Sequence, residues 1–140
     1  MLLLDTGPLV AGANSRDRRH ADCVTLLRTH PGPLLIPATV IVEVCQLLAS
    51  RRGPAAEAAF LTSLDSSAVS IVDLEPVDYQ RAAALVTQYA DLPLGAVDAT
   101  VIAVAERLRV AEVATLDRRH FAVVRPVHVD GFTLLPELPS

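Results

Sequence analysis

Four short apolar runs that alternate with longer, alanine-rich helical patterns predict an α/β fold: a central parallel β-sheet of four to five strands flanked by α-helices. At 140 residues the chain has the length of one domain, so a single domain over 1–140 is expected. Prolines and glycines fall between the periodic segments, and neither an internal repeat nor a low-complexity tract interrupts them.

The first run, Leu2 to Leu4, reads as a buried strand ended by Asp5. After the polar RDRR turn, residues 20 to 29 have helical periodicity, and Leu34 to Ile36 form the second strand. Residues 38 to 52 read as a helix stopped by Gly53, and 54 to 64 as one with Pro54 at its first position. Val69 to Val72 is the third buried strand; residues 76 to 90 begin with Pro76 and, like 96 to 109, are helical. Val110 to Ala114 is the fourth strand. Strands separated by helices pair in parallel through right-handed crossovers. The tail from Pro126 to Ser140 carries no recognisable signal.

Composition narrows the chemistry. The chain is 51% hydrophobic with a mean hydropathy of +0.41, yet only 4% aromatic, so the core is aliphatic and surplus apolar surface is expected to meet a partner. No run approaches a membrane span, and MLLL is cut by Asp5 without a basic flank, which predicts a cytoplasmic protein without a signal peptide. Cys23 and Cys45 lack metal-site spacing and are expected to be buried thiols. The net charge is -4, and every basic residue other than histidine is arginine. Absence of lysine removes Schiff-base catalysis, P-loop phosphate binding and phosphorylated receiver chemistry.

The triplet Asp5-Thr6-Gly7 admits two readings. It occurs in dimeric aspartic proteases, but those need a β-rich chain, and AEAAFLTSL, QRAAALVTQYA and AVDATVIAVAERL are helices. The other reading is an aspartate at the carboxyl end of a parallel strand, where open α/β sheets bind their ligands.

Three more carboxylates stand in apolar surroundings. Glu43 interrupts TVIVEVCQLL, Asp98 shares a helix face with Ile102 and Ala105, and Asp117 follows the strand-like AEVATL. Taken singly, Asp5 could cap a helix, Asp98 could answer a helix dipole and Asp117 could sit in a turn; Glu43 has no local partner in sequence. Together, four carboxylates at one sheet edge repel one another unless a divalent cation sits among them, and hard oxygen donors favour Mg²⁺ or Mn²⁺.

In this order, strand-Asp5-Thr6, Glu43 in VIVEV, Asp98 in DATVIAVAERL and Asp117 in TLDRRHF, the chain resembles the PIN-domain ribonucleases, most closely the VapC-type toxins of bacterial toxin-antitoxin pairs. The resemblance runs from residue 1 to about residue 125. It implies a PIN-like fold in which Asp5, Glu43, Asp98 and Asp117 form a catalytic Mg²⁺ or Mn²⁺ site, supported by Thr6 and Thr115. It further implies an RNA substrate, a homodimer, and an antitoxin that occupies the active-site groove and places an arginine among the carboxylates.

An acidic nuclease must gather basic groups near its site to hold RNA. Arg118, Arg119 and His120 follow Asp117 and are the best placed; Arg16, Arg18, Arg19 and His20 form a second cluster. Arg51 and Arg52 read more simply as charges at a helix C-terminus. Two rivals stand beside the nuclease. A metal-dependent phosphatase wants a second aspartate where Gly7 stands, and a catalytically inactive PIN-like module would only bind RNA or protein.

Overall fold

The computed structural model describes residues 1–66 and 68–139; Ser67 and Ser140 lie outside the described residues. Five strands, β1 (Leu2–Leu4), β2 (Leu34–Pro37), β3 (Val69–Val72), β4 (Glu112–Ala114) and β5 (Thr133–Leu135), form one sheet in the order β3-β2-β1-β4-β5. Every neighbouring pair is parallel. Seven helices among the described residues connect them: α1 (Thr6–Gly12), α2 (His20–Thr29), α3 (Ala38–Arg52), α4 (Pro54–Ser63), α5 (Pro76–Gln88), α6 (Ala96–Leu108) and α7 (Arg118–Val123).

Central β1 has all three leucines fully buried, as a strand covered by helices on both faces requires. The chain builds outward from it through β2 to β3, then returns to its other side as β4 and β5. That reversal opens a crevice at the carboxyl ends of β1 and β4, where doubly wound sheets bind ligands. Leu4 pairs with Ala114, and the Asp5 amide donates to the Ala114 carbonyl at 2.9 Å, so the residues that follow the two strands emerge side by side.

Local sequence fixes the helix ends. Gly53 adopts φ +89°, a left-handed conformation that ends α3 and leads directly into Pro54 at the start of α4. The start of α5 is a capping box, in which the Glu75 amide donates to the Asp78 carboxylate at 2.9 Å. Arg107 on α6 reaches that same buried Asp78 at 3.0 Å, and Arg81 on α5 holds Glu106 on α6 at 2.6 Å. These ion pairs lock α5 against α6, which carries an unbroken buried run from Ala99 to Ala105.

Two expectations need correction, and the expected range of four to five strands resolves to five. Val69 to Val72 is an edge strand and only half covered, with Ile71 at 47% exposure, because β3 has a neighbour on one side only. The fourth strand begins at Glu112, since Arg109 takes a left-handed φ of 57° and Val110 and Ala111 are spent on the turn back into the sheet. The silent tail supplies β5, which pairs with β4 and makes the sheet five-stranded. Among the described residues no helix is long and apolar enough to cross a membrane. Cys23 and Cys45 are free, buried thiols.

Candidate active site

Asp5, Glu43, Asp98 and Asp117 come together in one pocket of about 580 Å³ at the carboxyl edge of the sheet. Thr6, Gly7, Asp17, Leu47 and Arg51 are also in its wall. Each carboxylate arrives on a different element: Asp5 from the end of β1, Glu43 from the middle of α3, Asp98 from the first turn of α6 and Asp117 from the loop after β4.

Close packing sets their relative positions. Thr39, one turn before Glu43, shares a 2.8 Å hydrogen bond with Thr100, two residues after Asp98, which ties α3 to α6. A Cβ at Gly7 would lie 3.1 Å from the Leu116 Cβ, so glycine there lets the first turn of α1 approach the loop that carries Asp117. This explains the third residue of the Asp-Thr-Gly triplet. Asp5 precedes α1 but makes no capping bond with its side chain, so its carboxylate is left to the pocket.

Thr115 organises the centre. Its fully buried hydroxyl donates to Asp5 Oδ2 at 2.9 Å and accepts the Asp117 amide at 3.2 Å. The Thr6 hydroxyl is buried and lacks a well-formed hydrogen bond among the described residues, although it lies toward Glu43. An unsatisfied buried oxygen among carboxylates is the environment of a missing polar partner.

Burial and mutual repulsion push Asp5, Glu43 and Asp98 toward their protonated forms. The Asp5 carboxyl is raised to about 7, first by burial and then by the charge of Asp98, with Glu43 adding to it. Glu43 is raised by burial and by Asp98. Asp98 is raised chiefly by burial, against an opposing hydrogen bond from His120. Positive charge among them would favour their ionised forms, and oxygen donors suit a hard divalent cation. Asp98, Asp117 and His120 can place one ligand atom each within 4.8 Å of one another, a spacing that can hold a metal ion.

The basic candidates divide. His120 turns inward: its Nδ1 lies 2.7 Å from Asp98 Oδ2 and 3.8 Å from Asp117 Oδ2. Arg118 faces the tail, where it donates to the carbonyls of Leu134 and Pro136, and Arg119 is exposed and loosely paired with Asp117 at 3.7 Å. Arg16 and Arg18 are exposed outside the pocket wall, Arg19 pairs with Asp22 at 3.6 Å, and His20 bonds the Ala11 carbonyl at 2.9 Å. Arg51 does line the pocket, and so does Asp17, a fifth carboxylate that sequence reasoning did not single out. The spacing Glu43, Leu47, Arg51 was the available signal, since residues four apart share a helix face.

A separate apolar pocket of about 640 Å³, which shares no wall residue with the polar one, is lined by Leu9, Val24, Leu27, Ile36, Phe60 and Val69 among others.

Comparison with known proteins agrees with this architecture. The PIN domain family matches residues 2–125. Ribonuclease VapC26 of Mycobacterium tuberculosis is 32% identical over 135 residues, which span 96% of this chain and 100% of the relative. Among solved structures, VapC20 of Mycobacterium tuberculosis, described as a Sarcin-Ricin loop cleaving toxin, superimposes with a TM-score of 0.81 at 23% identity, covering 93% of this chain and 99% of the other. A toxin-antitoxin complex from Klebsiella pneumoniae gives 0.70 at 22% identity, over 95% and 100% of the two chains. With its parallel sheet, its gathered carboxylates and a match that covers most of its length, the chain belongs to the PIN-domain family.

Proposed function

We propose that this protein is a metal-dependent endoribonuclease and the toxin of a toxin-antitoxin pair, acting in the cytoplasm where its RNA substrate is found. The observation that carries the reading is the meeting of Asp5, Glu43, Asp98 and Asp117, from four separate elements, in one pocket where burial raises three of them. These four would hold Mg²⁺ or Mn²⁺. When bound, the cation would supply a Lewis acid for the phosphodiester and ease deprotonation of the water that attacks it.

The chain's own residues supply position and charge. Thr115 fixes Oδ2 of Asp5, so that Oδ1 would be left for the cation, and the buried Thr6 hydroxyl lies toward Glu43, which it would orient. Carboxylates engaged with a cation would leave water as the attacking group, so direct hydrolysis without a covalent enzyme intermediate fits the site.

The whole chain, 1–140, is read as one domain, because the tail strand β5 completes the sheet. An antitoxin would occupy the acidic pocket and place an arginine among its carboxylates, and the solved structures of similar fold include a toxin-antitoxin complex. Exposed Val42, Val77 and Tyr79 support a homodimer, since large apolar side chains at 59%, 55% and 58% exposure gain from cover.

The test is cleavage of total cellular RNA with Mg²⁺, with Mn²⁺ and with EDTA, comparing wild type to Asp98→Ala. Cation-dependent cutting that the variant lacks supports the nuclease. Metal binding by a folded, antitoxin-free wild type that cuts no RNA favours a binding module instead.

A further inference from the structure

Five carboxylates line the pocket, and an RNA strand must nevertheless bring its phosphates to it. Arginine is the only strong cation this chain has, so the question is which guanidinium is both near and free. Most are neither. Arg19, Arg81, Arg107 and Arg119 are paired with carboxylates. Arg52 donates to Asn14 Oδ1 at 2.6 Å, and Arg118 is held by the backbone of the tail. Apart from Arg51, the arginines that remain lie outside the pocket wall.

Arg51 differs on both counts. It lines the acidic pocket, is exposed, and has neither a hydrogen bond nor an ion pair among the described residues. It sits two turns beyond Glu43 on the same face of α3, about 12 Å along the axis, with Leu47 between them. A free guanidinium beside carboxylates it does not pair with is available to an anion from outside.

We propose that Arg51 binds a backbone phosphate of single-stranded RNA flanking the scissile one, and so sets the register of the strand across the carboxylates. Its displacement along α3 puts it beside the metal site rather than in it. The scissile phosphate is left to the cation, and the neighbouring one is held by a planar, bidentate donor. The best-placed phosphate contact is therefore at the end of α3, not in the Arg118-Arg119-His120 segment after Asp117.

This inference rests on the nuclease reading, and the experiment separates the two. A fluorescent single-stranded oligoribonucleotide, containing a site mapped from cleavage of total RNA, is cut by wild type, Arg51→Ala, Arg51→Lys and Arg125→Ala at several salt concentrations. Arg125 is exposed and absent from the pocket wall, so it controls for loss of one positive charge. Arg51→Ala should raise KM roughly tenfold, the size of one charge-assisted contact, with kcat changed less than about twofold. The slope of log(kcat/KM) against log[salt] should become shallower by about 0.7, the value for one phosphate contact to a single strand. Arg51→Lys should keep the slope and recover part of KM. An unchanged KM and slope in Arg51→Ala, or the same change in Arg125→Ala, overturns the assignment while the nuclease stands. A wild type that cuts no RNA with either cation overturns both.

Discussion

His120 Nδ1 donates a 2.7 Å hydrogen bond to Asp98 Oδ2, joining the start of α7 to the first turn of α6. With one oxygen committed to the imidazole, Asp98 has the other to offer the pocket. A ligand oriented in this way binds its cation more tightly than one free to rotate. The His120→Ala protein should therefore bind Mn²⁺ roughly tenfold more weakly in calorimetric titration, and His120→Asn, whose amide can reach the same oxygen, should recover part of the loss. Equal affinity in all three proteins would remove His120 from the design of the site.

Asp5 makes stability depend on pH. Its carboxyl is raised from 3.8 to about 7 in the folded protein, so between these values the native state holds a proton that the unfolded chain has released. Metal-free stability is then greatest below the unfolded value and falls as pH rises through about 7, by on the order of 4 kcal/mol for a group this buried. Glu43 and Asp98 shift in the same direction and add to the trend. In EDTA the protein should melt several degrees higher at pH 5 than at pH 8. Saturating Mn²⁺ should reverse that order, because the cation binds the ionised carboxylates of the native state. A pH-independent melting point in EDTA would count against a buried, neutral Asp5.

Arg118 serves the fold. Because its guanidinium donates to the Leu134 and Pro136 carbonyls, Arg118→Ala should loosen β5 and cost about 1–3 kcal/mol in chemical denaturation. The salt dependence of cleavage should be unaltered. A variant of native stability with a shallower salt slope would return Arg118 to the RNA-binding surface.

Asp78 holds α5 to α6 from a position only 1% exposed, where it caps one helix and pairs with Arg107 of the other. Asp78→Ala takes from the Arg107 guanidinium its closest and most buried carboxylate, leaving it Glu75 at 3.4 Å and the Asp73 carbonyl at 3.2 Å, and opens the capping box. Unfolding should become easier by about 3–5 kcal/mol, and metal affinity of the remaining folded fraction should change little. Restoration by the double variant Asp78→Leu with Arg107→Leu would identify the loss as an unpaired charge.

What the sequence determined by itself was whatever depends on local periodicity and composition. Apolar runs of strand length, the Pro54 and Pro76 helix starts and the Gly53 stop are written within a few residues, and the helices they bound are found in place. The four carboxylates were legible for a related reason: an ionisable group inside an apolar pattern is costly enough to need an explanation. Short elements escaped. The seven-residue α1 contains Gly7, Pro8 and Gly12, and β5 offers only Leu134 and Leu135 before Pro136, against three leucines in β1; both form because neighbouring elements hold them. Tertiary structure alone decided what each charge meets. Arg118 and Arg51 look alike in sequence, but one is drawn to carbonyls of the tail and the other is left free at the pocket wall. His120, expected to face phosphates, turns toward Asp98, because α6 brings a carboxylate within hydrogen-bond reach and a nearby partner outweighs exposure to solvent.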